Sequence, residues 1–183
     1  MCLIRTFVAV DLPDEMREKI KDIQSKLEPF DLRLVGPELV HITLKFLGDM
    51  PEEKVSAISE ALDSIECEPF EANIAGLGVF PKPSYAKVVW IGAEGNFVKL
   101  HDEVESSLKS FRFKKDRRGF TAHSTIARVK NIPKADKEDF LRILDELKDV
   151  EIGKMYVDRV KFKKSTLTPE GPIYETLHEA KLG

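Results

Sequence analysis

The strings His41-Ile42-Thr43-Leu44 and His123-Ser124-Thr125-Ile126 lie 82 positions apart, and the sequence downstream of them stays in register. At that shift Pro51 lands on Pro133, Ile58 on Phe140, Leu62 on Leu144 and Ile65 on Leu147. Upstream the shift is 81: Met16 falls on Phe97, Ile23 on Val104, Leu27 on Leu108 and Phe30 on Phe111. The chain is an internal repeat, and each copy delivers one His-x-Thr string at a corresponding point.

Around those strings the apolar periodicity alternates between strand and helix. Residues 3–10 are rich in β-branched and aromatic side chains and read as a strand. Asp11-Leu12-Pro13-Asp14-Glu15 is a helix-start signal, followed by the apolar stripe Met16, Ile20, Ile23 and Leu27. Residues 40–47 read as a second strand, and a helix with the stripe Val55, Ile58, Leu62 and Ile65 follows Pro51. A strand over about 70–80 ends at the turn-rich Pro81-Lys82-Pro83-Ser84. The series then restarts: a strand at 86–91, a helix marked by Phe97, Leu100, Val104, Leu108 and Phe111, a strand at 120–129, and a helix carrying Phe140, Leu144 and Leu147. Strands at 155–162 and 173–177 close the chain. The expected fold is α+β, with two pseudo-twofold-related lobes, each a β-α-β-α-β unit. Antiparallel sheets should line a central cleft, with helices outside. No Pro/Gly-rich linker separates the copies, so residues 1–183 read as one bilobal domain with repeat halves of about 1–85 and 86–183.

Charges are dispersed and the formal net charge is −3, which excludes a broadly cationic nucleic-acid binder but not a local basic patch. Cys2 and Cys67 have no metal-ligand spacing, and two cysteines make no disulfide framework, so a reducing cytosol is expected. The apolar run at 3–10 is short, interrupted by Arg5 and followed by Asp11, unlike a secretory signal. No stretch reaches membrane-spanning length. A soluble, cytoplasmic, monomeric protein with no membrane partner is the expectation.

In a strand, residues i and i+2 share a face about 6.6 Å apart. His41 and Thr43 therefore share one face, opposite Ile42 and Leu44, and His123 and Thr125 share a face in the second copy. With the apolar partners packed under helices, a pseudo-twofold brings the two polar pairs together across a cleft. Imidazole is the side chain that titrates near neutral pH unperturbed, so two of them can take one proton and give another around one phosphorus. Threonine hydroxyls suit the non-bridging oxygens, where charge builds in the transition state. The pattern points to hydrolysis of a phosphodiester without metal or cofactor. No His/Cys/acid cluster has zinc spacing, and no nucleophile elbow is present. His101, beside Leu100 on a helix, and His178, near the C-terminal edge, fall outside the pattern.

The paired strings, the opening Arg5-Thr6-Phe7-Val8-Ala9-Val10-Asp11, the segment Gly76-Leu77-Gly78-Val79-Phe80-Pro81 and the stretch from Phe120 to Val129 resemble the 2H phosphoesterase superfamily. Within it the chain is similar to the bacterial and archaeal RNA 2′,3′-cyclic phosphodiesterases, long labelled 2′-5′ RNA ligases. The resemblance implies a metal-independent site between two lobes. It also implies opening of a 2′,3′-cyclic phosphate to a 2′-phosphomonoester, with weak reversible 2′-5′ ligation in some members. The partners it implies are RNA ends or nucleotides with a 2′,3′-cyclic phosphate, tRNA fragments among them. It makes His41 the proton donor to the leaving O3′ and His123 the acceptor from water. Arg128, five residues after His123, would contact the substrate phosphate. Where the family commonly has Pro before the second His and an apolar residue after it, this chain has Ala122 and Ser124.

Strict alternation places Arg128 on the face opposite His123, so its phosphate contact needs a bulge or a strand end. Lys45 shares the His41 face by alternation, either meeting a nucleotide phosphate or standing in solvent. Phe7, Trp90 and Tyr174 either stack a terminal base or pack the core. The basic run Arg112-Phe113-Lys114-Lys115-Asp116-Arg117-Arg118 either steers RNA ends or is a solvated loop. Three alternative activities stand beside the cyclic phosphodiesterase: a 2′-5′ RNA ligase, a 2′-5′ oligonucleotide phosphodiesterase and a nucleotide-binding module without turnover. Retention of both His-x-Thr strings disfavours the last.

Overall fold

The computed structural model describes residues 2–183, which form nine strands and four helices. The strands are β1 (Leu3–Asp11), β2 (Asp31–Leu34), β3 (His41–Pro51), β4 (Phe70–Lys82), β5 (Tyr85–Glu94), β6 (His123–Asn131), β7 (Glu151–Val157), β8 (Arg159–Thr168) and β9 (Gly171–Lys181). The helices are α1 (Arg17–Leu27), α2 (Val55–Asp63), α3 (Phe97–Ser107) and α4 (Lys137–Leu147). None is long and apolar enough to cross a membrane, among the described residues.

All strand pairs are antiparallel, in the order β7-β4-β5-β6-β3-β1-β8-β9, with β2 pairing further along the same edge of β6 as β3. Read from either end, that order is nearly its own mirror: β1 corresponds to β5, β3 to β6, β4 to β8 and β7 to β9. The expected pseudo-twofold runs between β3 and β6, where the two lobes meet through one residue pair, Ile42–Ser124.

Each helix buries the stripe its spacing marks. Ile20, Ile23 and Leu27 of α1 are buried, as are Ile58 and Leu62 of α2, Phe97, Leu100 and Val104 of α3, and Phe140 and Leu144 of α4. Each such side chain stabilises by roughly 1.5–3 kcal/mol relative to exposure, which far exceeds the helix propensity of elements this short. Helices α1 and α4 pack together on the lobe containing β4 and β6, and α2 and α3 on the lobe containing β3 and β9.

The copies interleave. Strand β4, at the end of the first β-α-β-α-β series, pairs with β5, and β8 crosses back to pair with β1. The strand expected over 155–162 is therefore two: β7 pairs with β4 in one lobe, β8 pairs with β1 in the other, and Asp158 lies between them. Alternation cannot reveal such a crossing, because both pieces carry the same strand pattern. Strand β2 escapes the sequence pattern; it is only four residues long, and Arg33 interrupts its apolar residues.

Ser124 is fully buried at the lobe seam, and its hydroxyl has no hydrogen-bond partner among the described residues. An unsatisfied buried hydroxyl costs stability that an apolar group of similar size does not. Ser124→Ala should raise the unfolding free energy by up to about 1 kcal/mol, read as a higher Tm. A drop of that size would mean that the hydroxyl is bonded in solution.

Candidate active site

Strands β3 and β6 set the site because they face each other in antiparallel sense through Ile42–Ser124. That register puts His41 beside Thr125 and Thr43 beside His123. Ile42, Leu44, Ser124 and Ile126 are buried on the helix side, and the His and Thr side chains are half-buried on the other. The structure thus brings together the four residues singled out by the repeat.

Both imidazoles are held by the same device. His41 Nδ1–H donates to the Leu39 carbonyl at 2.7 Å, and His123 Nδ1–H donates to the Thr121 carbonyl at 2.6 Å. A carbonyl only accepts, so each bond fixes the proton on Nδ1 and leaves Nε2 for the cleft. The Thr43 hydroxyl donates to His41 Nε2 at 3.0 Å. These backbone partners two residues upstream escape any side-chain reading; their matched position in the repeat is the one sequence trace of them.

Aromatic walls stand behind each ring. His41 stacks on Phe7 with centroids 4.9 Å apart and meets the edge of Tyr174 at 5.3 Å. His123 meets Phe80 edge-on at 5.0 Å and Trp90 at 6.1 Å. Phe7 is buried between His41 and Tyr174; it braces the histidine and offers no free face to a base. A Cβ at Gly78 would collide with the Trp90 ring, so glycine there leaves the indole room to lie across β4.

The surroundings of His41 act on its protonation. Burial pushes the His41 pKa down, and the Lys163 ammonium and His123 add to that; the Leu39 carbonyl and the Asp11 carboxylate oppose it. Asp11 lies opposite His41 in the β1–β3 register and pairs with Lys161 and Lys163 of β8. Those lysines hold its carboxyl below the usual range against the effect of burial. Asp11 reads in the sequence as part of a helix start, yet it is the last residue of β1, and nothing in the sequence links it to Lys163.

In each lobe a bulge just beyond the threonine re-aims the residues that follow. Thr43 pairs with Ala9 but Lys45 with Val8, so Leu44 is an extra residue in β3; likewise Thr125 pairs with Trp90 but Ala127 with Val89, leaving Ile126 extra in β6. Leu44 and Ile126 are repeat equivalents. Past each bulge the alternation inverts. Lys45 therefore does not share the His41 face, contrary to the alternation-based expectation. It is 6% exposed and donates to Glu105 of α3 and to the Lys114 carbonyl. Phe46 (67% exposed) and Arg128 take the open face instead. The bulge supplies what Arg128 required.

Helices buttress both bulges from behind. Gln24 of α1 donates to the Val35 carbonyl at 2.6 Å and to the Ile126 carbonyl at 2.9 Å, which also accepts from Val35 N–H. Glu105, which receives Lys45, occupies the position of Gln24 in the repeat. His101 stacks on Phe120 and His178 bonds Asp63, both away from the cleft. The basic run 112–118 is mostly exposed between α3 and β6, with Arg118 paired to Asp116. Two surface grooves of about 240 Å³ lie along α1 and α4, one lined by Ile23 and Ile152 and the other by Phe30 and Arg142. Neither groove is lined by a histidine.

The family model of LigT-like phosphoesterases matches residues 10–90 and 92–174 of this chain. An RNA 2′,3′-cyclic phosphodiesterase of Methanocaldococcus jannaschii is 38% identical over 177 residues, covering 96% of this chain and 99% of that protein. Another, of Archaeoglobus fulgidus, is 40% identical over 177 residues, covering 95% of this chain and 98% of that protein. The crystal structure of TT0787 of Thermus thermophilus superposes with a TM-score of 0.80 at 29% identity, covering 97% of each chain.

Two outcomes follow from this geometry. In an NMR titration the His41 imidazole should protonate below the ordinary 6.5. A folded-state pKa below the unfolded one means that the stability contributed by neutral His41 is present above pH 6.5 and lost as pH falls through the lowered value. Titration at or above 6.5 would show the ring to be better solvated than its burial implies. Gly78→Ala should push Trp90, the single tryptophan, off its place beside His123, visible as a shifted fluorescence spectrum. An unchanged spectrum would mean that β4 yields instead.

Proposed function

The chain belongs to the LigT-like phosphoesterase family, and from that premise we propose that it opens RNA 2′,3′-cyclic phosphodiester ends to 2′-phosphomonoesters with two histidines and no metal. The observation that carries the reading is the matched pair of Nδ1–carbonyl bonds, which turns both Nε2 atoms toward one cleft from opposite strands. The names of the relatives at 38% and 40% identity supply the RNA cyclic end as substrate class.

In the proposed step a water oxygen bonds to phosphorus as the P–O3′ bond breaks. The water proton passes to His123 Nε2, and His41 Nε2–H protonates O3′ as it leaves, so the pair ends with its protons exchanged and the product is a 2′-phosphate. Thr43 and Thr125 donate to the non-bridging oxygens. Thr43 then gives up its bond to His41 Nε2, which frees that nitrogen for O3′. An acid must be protonated, whereas burial favours neutral His41. The anionic cyclic phosphate offsets this, because a negative charge beside the ring favours imidazolium. Arg128, carried to the open face by the bulge, is the proposed guanidinium contact to the phosphate. Phe7 serves as the brace of His41, and Lys45 has no part in binding.

The test is incubation with an RNA ending in a 2′,3′-cyclic phosphate, with and without EDTA, and identification of the product. A 2′-phosphate formed equally under chelation is expected; a 3′-phosphate, or activity lost to EDTA and restored by Zn²⁺, would overturn the mechanism. His41→Ala and His123→Ala should each lower kcat by about 10² to 10⁴, with the double variant far from additive. A substrate with an activated leaving group needs no acid, so it should restore much of the His41→Ala rate and little of the His123→Ala rate. The reverse pattern would exchange the two roles.

A further inference from the structure

Strand β2 carries a residue that the two-histidine site does not use. Arg33 lies directly opposite Arg128 in the β2–β6 register. Residues opposite one another in an antiparallel pair share a face, with Cα atoms about 4.5–5.5 Å apart. Their neighbours Leu32, Leu34 and Val129 pack against the core, so both guanidinium groups point to the open side of the sheet. The Arg33 Nη2 atom reaches the β8–β9 turn, lying 3.6 Å from where a Cβ would stand on Gly171. On that hairpin, Tyr174 contacts the His41 ring and lies within the fields of Arg128 and Arg5.

Like charges directly opposite in a sheet are destabilising, and here no acid relieves them. Arg17, Arg118, Arg142 and Arg159 each hold a carboxylate within 4 Å. Among the described residues, Arg5, Arg33 and Arg128 hold none, and neither do Arg112 and Arg117 of the exposed basic run. The protein is acidic overall, at −3, yet Arg33 and Arg128 stand side by side without a carboxylate, and planar guanidinium groups are suited to phosphate oxygens.

We propose that Arg33 binds a second phosphate, the one on O5′ of the terminal nucleoside, while Arg128 takes the cyclic phosphate; this rests on the phosphodiesterase reading above. The protein then selects an RNA end, or a 5′-phosphorylated nucleotide, over a nucleoside 2′,3′-cyclic phosphate that ends in a free 5′-hydroxyl. Arg33 acts in recognition and leaves the proton transfers to the histidines.

The test uses adenosine 2′,3′-cyclic phosphate with and without a 5′-phosphate. The ratio of their kcat/KM values should favour the 5′-phosphorylated form by about tenfold or more, the scale of a hydrogen bond between charged groups. Arg33→Gln should bring the ratio close to one through KM rather than kcat, Arg33→Lys should keep part of it, and Arg33→Glu should invert it. Arg33 is exposed, so these variants should fold, which circular dichroism checks. Turnover of both substrates with a ratio that Arg33→Gln leaves unmoved would overturn the Arg33 site alone. Turnover of neither by the unaltered protein would overturn the phosphodiesterase reading and this site with it.

Discussion

An extra residue in each of two strands, Leu44 in β3 and Ile126 in β6, decides what the cleft contains. Without it, strict alternation would aim Lys45 and Ala127 at the site and bury Phe46 and Arg128. The bulges invert that choice, and the molecule holds them from behind with buried polar groups. In one lobe Gln24 satisfies the Ile126 carbonyl; in the other Glu105 neutralises the buried Lys45. A buried carbonyl or ammonium left alone is costly, so each bulge depends on a helix that reaches it. The two solutions occupy equivalent places in the repeat yet differ chemically, an amide against a backbone oxygen and a carboxylate against a lysine.

The interleaving of the halves makes that support possible. Helix α1 follows β1 but packs on β6, and α3 follows β5 but packs on β3. Each histidine-bearing strand is thus buttressed by a helix from the other half of the sequence. Neither copy of the repeat can complete its own bulge, which ties the geometry of one histidine to the folding of the other copy. The crossing at Asp158 closes the arrangement by sending β8 back to β1, where Lys163 reaches Asp11 opposite His41.

Charge is distributed unevenly around the cleft. On β1 and β8, Asp11, Lys161, Lys163 and Glu179 form a compensated network. Arg128 and Arg33, by contrast, stand without a carboxylate partner among the described residues. A compensated network beside His41 fixes geometry with little net field, whereas unpaired guanidinium groups are suited to an anion, which is the role proposed for them. In the proposed reaction the burial that depresses the His41 pKa and the anion that would raise it act in sequence, so that an incoming phosphate would charge the ring beside it.

Much of this was legible in the chain. The 82-residue shift, the His-x-Thr strings and the helix stripes depend on local periodicity, and local periodicity survives any arrangement of the elements. They carried the fold class, the four central residues and the face those residues share. Tertiary structure alone decided the rest. Whether residue 44 or 126 bulges depends on which strand lies alongside; alternation misplaces Lys45 because it assumes an unbroken ladder. The Leu39 and Thr121 carbonyls have no side-chain signature, and Arg33 acquires meaning only opposite Arg128, 95 positions away. A sequence encodes the period of each strand; the partner, the bulge and the charge left unpaired are properties of neighbours that the fold brings together.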